Sequence, residues 1–232
     1  MLVVVVLCML WSTRRSTHRW LSPASEVYKE QVRFFDLSQV IAGPHCTTIL
    51  ADLGAEILKI ERPDGGDDLR TVGRYKGRED NEDYFYANNR SKKSICLNLK
   101  DDHDRKIAHS LVARADVVVE NFAPGTVDRL GVGWRDLSPK NPRLVYCSIS
   151  GFGQKGPYRS RLALDPVIQA VTGVMSVTGT ADSDPLMIGA PLADVISGIY
   201  SANFILGALS EVQAGGSGRC IAVSMQDALL SA

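Results

Sequence analysis

Residues 32–62 read VRFFDLSQVIAGPHCTTILADLGAEILKIER, and this stretch decides the fold. VRFFDLS (32–38) is apolar enough for a buried strand, and EILKIER (56–62) is predicted as a second strand. Between them, AGPHCTTILADLGA (42–55) has apolar residues at helical spacing and Gly54 near its end, where a glycine typically stops a helix. A strand, a helix and another strand in this order predict a parallel sheet.

The alternation of strands and helices continues along the rest of the chain. Strands are predicted at 94–100, 116–122 and 143–152, and helices at 104–115, 167–179 and 195–215. The segment 220–232 starts as a strand and turns helical. Residues 63–83 carry glycine and charge with little periodicity, so we expect a long surface loop there. The predicted fold class is therefore α/β.

The composition is that of a soluble globular protein, with 45% hydrophobic and 22% charged residues. The 26 basic residues balance the 26 acidic ones, so no overall field recruits nucleic acid or an anionic membrane. Five widely spaced cysteines without CxxC or Cys/His ligand spacing disfavour a disulfide scaffold and a metal site. The four histidines form no catalytic triad, and GxSxG and HExxH are missing, so classical hydrolases are excluded.

The first 30 residues differ in character from the rest. MLVVVVLCMLW (1–11) is too short to span a bilayer, and STRRSTHRWLSPAS (12–25) is rich in Arg and Ser and has no acidic residue. We expect residues 1–30 to be a leader or a disordered tail. An organelle presequence would place the protein in mitochondria. A mis-assigned start codon, with a cytoplasmic protein, is the alternative.

The sequence GFGQKG (151–156) matches the dinucleotide-binding pattern G-x-G-x-x-G. That pattern works only where a helix starts at the third glycine and receives the pyrophosphate at its N-terminus. Here PYRSRLALDP (157–166) follows, with two prolines and no helical period. We therefore predict a glycine loop, and a nucleotide-dependent dehydrogenase is the least favoured function.

Polar side chains follow the predicted strand 116–122, where parallel sheets bind their ligands. Phe122 can stack on a planar ring, Asn121 offers amide donors and an acceptor, and Arg129 can hold a phosphate. Taken alone, the stretch would be read as a simple surface loop between a strand and a helix.

Cations occur at two other strand ends. Arg62 ends the strand 56–62, and the basic run 88–93 together with Lys100 flanks the strand 94–100. Several cations at strand ends suit a ligand with more than one phosphate. A solvated basic face is the alternative.

The combination of these segments resembles the class III CoA-transferases, which include formyl-CoA, carnitine-CoA and succinyl-CoA transferases and the related α-methylacyl-CoA racemases. The resemblance runs from about Val32 to the last residue. The matching segments, in the family's order, are DLSQVIAGPHCTTILADLGAEILKIERPDGGDDLR (36–70), NNRSKKSICLNLK (88–100), ADVVVENFAPGTVDRLG (115–131), YCSISGFGQKGP (146–157) and the stretch around Asp194.

The resemblance implies a Rossmann-like large domain over 31–219, a parallel sheet with helices on both faces, with 220–232 starting the connection to a small domain. It also implies an interlocked homodimer when full length, CoA bound as acyl-CoA, and no metal. The residues that match the family's CoA contacts are Val40, Arg62, Leu97, Lys100, Asn121, Phe122 and Arg129.

The family's nucleophile matches Asp194, which precedes a long apolar helix. The resemblance implies that it moves CoA from an acyl-CoA, for example succinyl-CoA, to a small carboxylic acid through an aspartyl anhydride and an aspartyl-CoA thioester. We expect the helix N-terminus to keep this carboxylate ionised. Taken alone, Asp194 would be read as an ordinary helix N-cap.

Two alternatives to an active transferase are open. Racemases carry a histidine base where this chain has Leu164, so racemisation is less favoured, and Asp165 beside it is expected to be structural. Family chains are longer than 232 residues, which leaves a catalytically impaired CoA-binding fragment as the other alternative.

Overall fold

The computed structural model describes residues 8–9, 32–71 and 83–232, and its core is a sheet of six parallel strands. A two-residue strand, β1 (Cys8–Met9), pairs antiparallel with one edge of this sheet. The rest of the predicted leader, apart from these two residues, lies outside the described residues. The parallel strands are β2 (Arg33–Asp36), β3 (Glu56–Glu61), β4 (Lys93–Cys96), β5 (Val117–Glu120), β6 (Val145–Ser150) and β7 (Arg219–Ser224).

Eight helices connect or follow these strands in the described part of the chain. Short 3₁₀ turns occur at Asp68–Arg70, Ser138–Lys140 and Val174–Val177. The helices are α1 (Ala42–Asp52), α2 (Asp83–Asn89), α3 (Asp102–Val112), α4 (Thr126–Arg129), α5 (Trp134–Leu137), α6 (Asp165–Val171), α7 (Leu192–Gln213) and α8 (Met225–Leu230).

The sheet is covered on both faces, as the resemblance implied. Successive side chains of a strand point to opposite faces, and the central strand β5 shows this alternation. Val117 and Val119 pack into the core formed with α1 and α7, whereas Val118 packs into the core formed with α3. All four residues of β5 are buried, which explains the run of three valines with which it begins.

The order of the parallel strands is β4-β3-β2-β5-β6-β7. The first parallel strand of the chain, β2, lies in the middle, with β3 and β4 added on one side and β5 to β7 on the other. This is the Rossmann order, and its direction reverses between β2 and β5. Ligands of such sheets bind in the crevice at the carboxyl ends of the two strands that flank the reversal.

The structure differs from the predicted elements at three places. The predicted loop 63–83 ends at α2, which has only seven residues and so shows no clear helical period, and residues 72–82 lie outside the described residues. The predicted helix 167–179 is broken at Gly173, whose φ of +82° cannot continue a right-handed helix. The strand predicted from 220 begins at Arg219 as β7, in register with β6, and the division into domains at this point stays a prediction.

The long apolar helix α7 is a core helix. Its length and composition would suffice to cross a membrane. However, it packs on α1, β6 and β7, and nine of its residues are buried. The apolar composition is thus accounted for by the interior of the domain.

Candidate active site

A cavity of about 150 Å³ opens at the carboxyl edge of the sheet, next to the reversal between β2 and β5. Apolar side chains form much of its wall, among them Leu37, Ile60, Leu99 and Leu130. Four of the seven predicted CoA-contacting residues also line it: Arg62, Leu97, Lys100 and Phe122. The fold therefore brings together residues from the ends of β3, β4 and β5, as the sequence predicted. Their contact with CoA stays a prediction.

Asn121 adjoins this cavity through the turn that follows β2. Its Oδ1 accepts a hydrogen bond from the Gln39 backbone N–H at 2.8 Å, and its Nδ2 donates to the Gln39 carbonyl at 2.7 Å. Gln39 lines the cavity. The next residue, Val40, has a left-handed φ of +64°, which is unfavourable for a β-branched residue. Asn121 therefore helps to hold a strained turn at the cavity wall.

Two of the predicted residues lie beside the cavity and do not line it. Val40 is exposed next to Gln39. Arg129 is exposed on α4, where its Nη2 donates to the Thr126 hydroxyl at 3.0 Å. Since Leu130 lines the cavity, Arg129 stands at its border and is free to reach a group outside it.

A buried ion pair holds the left-handed turn at Val40 through hydrogen bonds to its backbone. Lys59 Nζ lies 2.8 Å from Asp67 Oδ2, and both side chains are almost fully buried. Asp67 Oδ1 accepts from the backbone N–H of Val40 at 3.1 Å and of Leu69 at 3.0 Å. Lys59 also donates to the Ser38 carbonyl at 2.8 Å. This pair thus ties β3 to the turn after β2.

A second buried ion pair lies at the end of β2 itself. Asp36 accepts from Thr47 at 2.7 Å and from Lys92 at 3.3 Å, and also from the Ser38 hydroxyl. Burial opposes the ionisation of Asp36, but Lys92 and Lys59, with the two hydroxyls, hold its pKa below the usual range. These groups pair their charges and hydrogen-bonding atoms with one another, so we assign them a structural role beneath the site.

Asp194 lies in the first turn of α7, half-buried. Its carboxylate accepts no hydrogen bond and forms no ion pair with any residue in the described ranges. Burial, and secondarily the charge of Asp165, raises its pKa to about 7. Burial and this like charge therefore oppose the ionisation that the helix N-terminus was expected to favour.

Asp194 is also not the N-cap of its helix. That position belongs to Pro191, which offers no side-chain acceptor. The capping role falls to Asp165, whose Oδ1 accepts from the backbone N–H of Ala193 at 2.6 Å and of Asp194 at 3.1 Å. Asp165 thus has the structural role expected of it.

Gln169 completes this arrangement from the next turn of α6. Its Nε2 donates to Asp165 Oδ2 at 2.6 Å, and its Oε1 accepts from the Ile188 backbone N–H at 2.9 Å. The Nε2 also lies 3.2 Å from the Ala190 carbonyl. Asp165 and Gln169 together hold the segment 188–194, and we call this pair the α6 clamp.

The first turn of α1 lies between Asn121, which adjoins the cavity, and α7, the helix that carries Asp194. A Cβ built on Gly43 would lie 2.2 Å from Ser38 Cβ and 3.5 Å from Asn121 Cγ. A Cβ built on Gly198, one turn after Asp194, would lie 2.9 Å from the Ala42 carbonyl. These glycines allow the first turn of α1 to lie between Asn121 and α7. Asn121, a predicted CoA contact, and α7, the helix that carries the candidate nucleophile, therefore lie on either side of the same turn.

Tyr84, on α2, was missed by sequence reasoning. Burial, and then the charges of Asp194 and Asp165, raises the pKa of its hydroxyl. Tyr84 is thus within electrostatic reach of both carboxylates. It is the second residue after the residues outside the described ranges, and no motif marked it.

The glycine loop 151–156 is a series of turns, as predicted. No helix of the described chain begins at its third glycine, since α6 starts only at Asp165. A Cβ built on Gly151 would lie 2.0 Å from Ala163 Cβ, so this glycine serves close packing. The geometry lacks the helix terminus that a dinucleotide pyrophosphate needs.

An exposed group of Asp101, His103 and Asp104 has the spacing for a cation. Its carboxylates already accept hydrogen bonds from backbone N–H groups at and just before the start of α3. Asp101 Oδ1 accepts from the His103 N–H at 2.9 Å, and Asp104 Oδ2 accepts from the Asn98 N–H at 2.8 Å. The group is explained as a helix cap.

The fold and the site define a member of CoA-transferase family III. The family model of that name matches residues 30–232. The chain belongs to this family.

Three relatives illustrate the likeness. The chain is 47% identical over 197 residues to an acetyl-CoA:oxalate CoA-transferase of Acetobacter aceti, covering 84% of this chain and 50% of that protein. It is 42% identical over 206 residues to the human succinyl-CoA:glutarate CoA-transferase, covering 87% and 47%. The crystal structure of a CAIB/BAIF family protein from Brucella suis superposes with a TM-score of 0.81 at 39% identity, covering 86% of this chain and 53% of that one. The chain thus spans about half the length of the curated relatives it matches.

Proposed function

We propose that this protein transfers CoA from an acyl-CoA to a free carboxylic acid, with Asp194 as the nucleophile. The observation that carries the proposal is the Asp194 carboxylate. It has no partner in the described chain, and the α6 clamp fixes the backbone around it. Its pKa of about 7 leaves a substantial fraction ionised at neutral pH, so the attacking form is available.

The reaction follows from a carboxylate that meets a thioester. Asp194 attacks the acyl carbonyl, and the C–S bond breaks to give a mixed anhydride and the CoA thiolate. The thiolate attacks the aspartyl carbonyl, which releases the donor acid and leaves an aspartyl-CoA thioester. The acceptor carboxylate attacks this thioester and expels the thiolate. The thiolate then attacks the acceptor's carbonyl, which forms the new acyl-CoA and restores Asp194.

The cavity would hold the nucleotide part of CoA. Phe122 and the apolar wall suit the adenine ring, and Arg62 and Lys100 suit its phosphates. Arg129, at the border, would reach a further phosphate. Asn121 and Val40 would contact CoA from the turn after β2. The residues Leu97 and Leu99 would supply apolar contacts.

The names of the relatives support a dicarboxylic acid as the acceptor, since they specify oxalate and glutarate. The name of the human relative supports succinyl-CoA as the donor on the same ground. Racemisation is less favoured because Leu164, 71% exposed beside Asp165, cannot accept a proton.

A mitochondrial location stays a prediction.

We also propose that the protein forms a homodimer. Its support is a set of large apolar side chains on and around α6, of which Leu162 is 86% and Val177 85% exposed. Such residues are unusual on the surface of a monomer when they cluster.

Exchange of isotopically labelled CoA between an acyl-CoA and a free acid tests the function. Asp194→Asn should abolish the exchange, because the amide cannot form the anhydride. Asp182→Asn, in an exposed turn, is the matched control and should exchange as the unmodified protein does. Undiminished exchange by the Asp194 variant would overturn the proposal.

The second candidate function is CoA binding without turnover. It is favoured by the cavity at the sheet edge, which brings Arg62, Lys100 and Phe122 together without any part for Asp194. Calorimetric titration with CoA separates the two. Binding without exchange supports this candidate, exchange supports the transferase, and the absence of binding contradicts both.

A further inference from the structure

Glu120 is a buried carboxyl group for which the proposed reaction has no use. It is the last residue of β5 and is only 1% exposed. It directly precedes Asn121 and Phe122, which lie at the cavity. An acidic side chain is almost never fully buried without a reason, so its contacts are informative.

The contacts of Glu120 reach two loops. Its Oε2 accepts from the Phe122 backbone N–H at 2.9 Å. Ser148 of β6 lies opposite Glu120 in the sheet register, and its hydroxyl is near enough to lower the pKa of the Glu120 carboxyl, against the effect of burial. Gln154, in the glycine loop 151–156, donates from Nε2 to the Ser148 hydroxyl at 2.8 Å. Glu120 and Ser148 therefore lie side by side between the glycine loop and the backbone of Phe122.

We infer that Glu120 is a positioning residue, which couples the turn at Asn121 and Phe122 to the glycine loop and so sets the geometry of the CoA-binding cavity. This inference rests on the proposed function, because it assigns Phe122 to CoA. It adds a residue that touches no substrate and acts through its neighbours.

The ionised form of Glu120 is the one that can link Phe122 to Ser148. A carboxylate can accept from both groups, and such charge-assisted bonds are stronger than neutral ones. A protonated carboxyl must donate its own proton. If it donates to Ser148, the Ser148 oxygen must accept hydrogen bonds from both Glu120 and Gln154. The hydrogen of the Ser148 hydroxyl can then no longer be donated to Glu120 and is left without an acceptor. Protonation therefore loosens the link to the cavity.

The switch between the two forms falls near neutral pH. Burial, against the bonds from Ser148 and Phe122, raises the pKa of Glu120 to about 7. The charged and titratable groups around it are Asp128 of α4, Tyr146 and Cys147 of β6 and Cys220 of β7. Burial raises the pKa of the phenol and of both thiols, so they remain neutral while Glu120 titrates. Asp128 adds a negative charge that also disfavours ionised Glu120.

The test is the pH dependence of CoA affinity in Glu120→Gln. The amide can accept from Phe122 and donate to Ser148, so it imitates the protonated acid at every pH. We expect the ratio of the two Kd values, variant over unmodified protein, to rise about fivefold between about pH 6 and about pH 8. The titration of CoA and of Asp194 changes both Kd values alike, so it does not change their ratio.

Two further variants sharpen this experiment. Ser148→Ala removes the link to Gln154 and should reduce the pH dependence while the fold is retained, as judged by thermal unfolding. Glu211→Gln is the matched control, because Glu211 is exposed on α7 and pairs only with Arg219 among the described residues. Its Kd should follow that of the unmodified protein at each pH.

The possible outcomes separate the two proposals. Unmodified protein that binds no CoA at any pH contradicts the proposed function. Binding with a ratio that stays constant with pH contradicts only the role of Glu120. A ratio that falls as the pH rises also overturns it, because it would mean that the carboxylate merely repels the phosphates.

Discussion

Asp165 caps the helix on which Asp194 stands, and its Oδ1 accepts a hydrogen bond from the Asp194 backbone N–H at 3.1 Å. The two carboxylates come from different helices, α6 and α7, and the cap brings them together. Asp165 thereby orders the backbone of the candidate nucleophile and opposes its ionisation. The position and the titration of Asp194 depend on the same residue.

Asp165→Asn should separate these two effects. The amide oxygen can still accept from the N–H groups of α7, but the negative charge is gone. The pKa of Asp194 should fall from about 7 toward the ordinary range, and the acid limb of the exchange-rate profile should move to lower pH. Asp165→Ala also removes the cap and should cost about 1 kcal/mol in the free energy of unfolding. An acid limb that stays in place in the Asn variant would mean that burial alone sets the pKa.

Asp194→Asn should be more stable than the unmodified protein at neutral pH. The folded-state pKa of Asp194 is raised, so the aspartate binds a proton more tightly in the folded state than in the unfolded state. Its contribution to stability is complete below about pH 4 and is lost as the pH rises to about 7. The gain of the variant should reach on the order of 2 kcal/mol above that range. Urea unfolding at a series of pH values measures it, and a gain independent of pH would contradict the assignment.

Lys59→Met should strongly destabilise the protein. It leaves Asp67 as an unpaired buried charge, which typically costs about 3 kcal/mol or more. The double variant Lys59→Met with Asp67→Asn should recover part of the loss, because Asn removes the charge and keeps an acceptor for Val40. Urea unfolding checks both. A double variant no more stable than the single one would count against the ion pair as the cause.

Arg62→Gln and Lys100→Gln should each weaken CoA binding by about tenfold and leave pantetheine binding unchanged, since a charge-assisted bond to phosphate is lost. Arg33→Gln is the matched control. Arg33 begins β2 at the opposite edge of the sheet and is exposed. Calorimetric titration measures all three. Equal losses for CoA and pantetheine would show that these cations do not bind phosphate.

Gly198→Ala and Gly207→Ala should have opposite effects, although both lie in α7. A methyl group at Gly198 would meet the Ala42 carbonyl at 2.9 Å and force α1 away, at a cost of about 1–3 kcal/mol. At Gly207 nothing lies within 4 Å, so alanine should stabilise the helix by about 1 kcal/mol. Thermal unfolding of the two variants checks the contrast, and similar shifts in both would refute the close approach of α1 and α7.

The sequence predicted most of the sheet, because short segments rich in valine and other apolar residues, such as those of β5 and β6, are typical of buried strands. It also predicted which strand ends meet, since parallel strands bring Arg62, Lys100 and Phe122 to one edge. The cavity between them follows from this topology.

The sequence could not predict the surroundings of Asp194. The cap from Asp165 joins residues 29 positions apart and depends on how α6 packs on α7. The raised pKa depends on burial, which local patterns do not specify. Tyr84 was missed because α2 has only seven residues, and its helical state is set by packing on α1.

The central place of β2 has a consequence for the order in which the protein folds. Phe35 pairs with Leu58 on one side and with Val118 on the other. The first pairing closes a short loop of chain that contains α1. The second joins residues more than three times as far apart in the sequence, so it costs more chain entropy. The β2–α1–β3 unit can therefore form early, and docking of β5 onto it would set the slow step of folding.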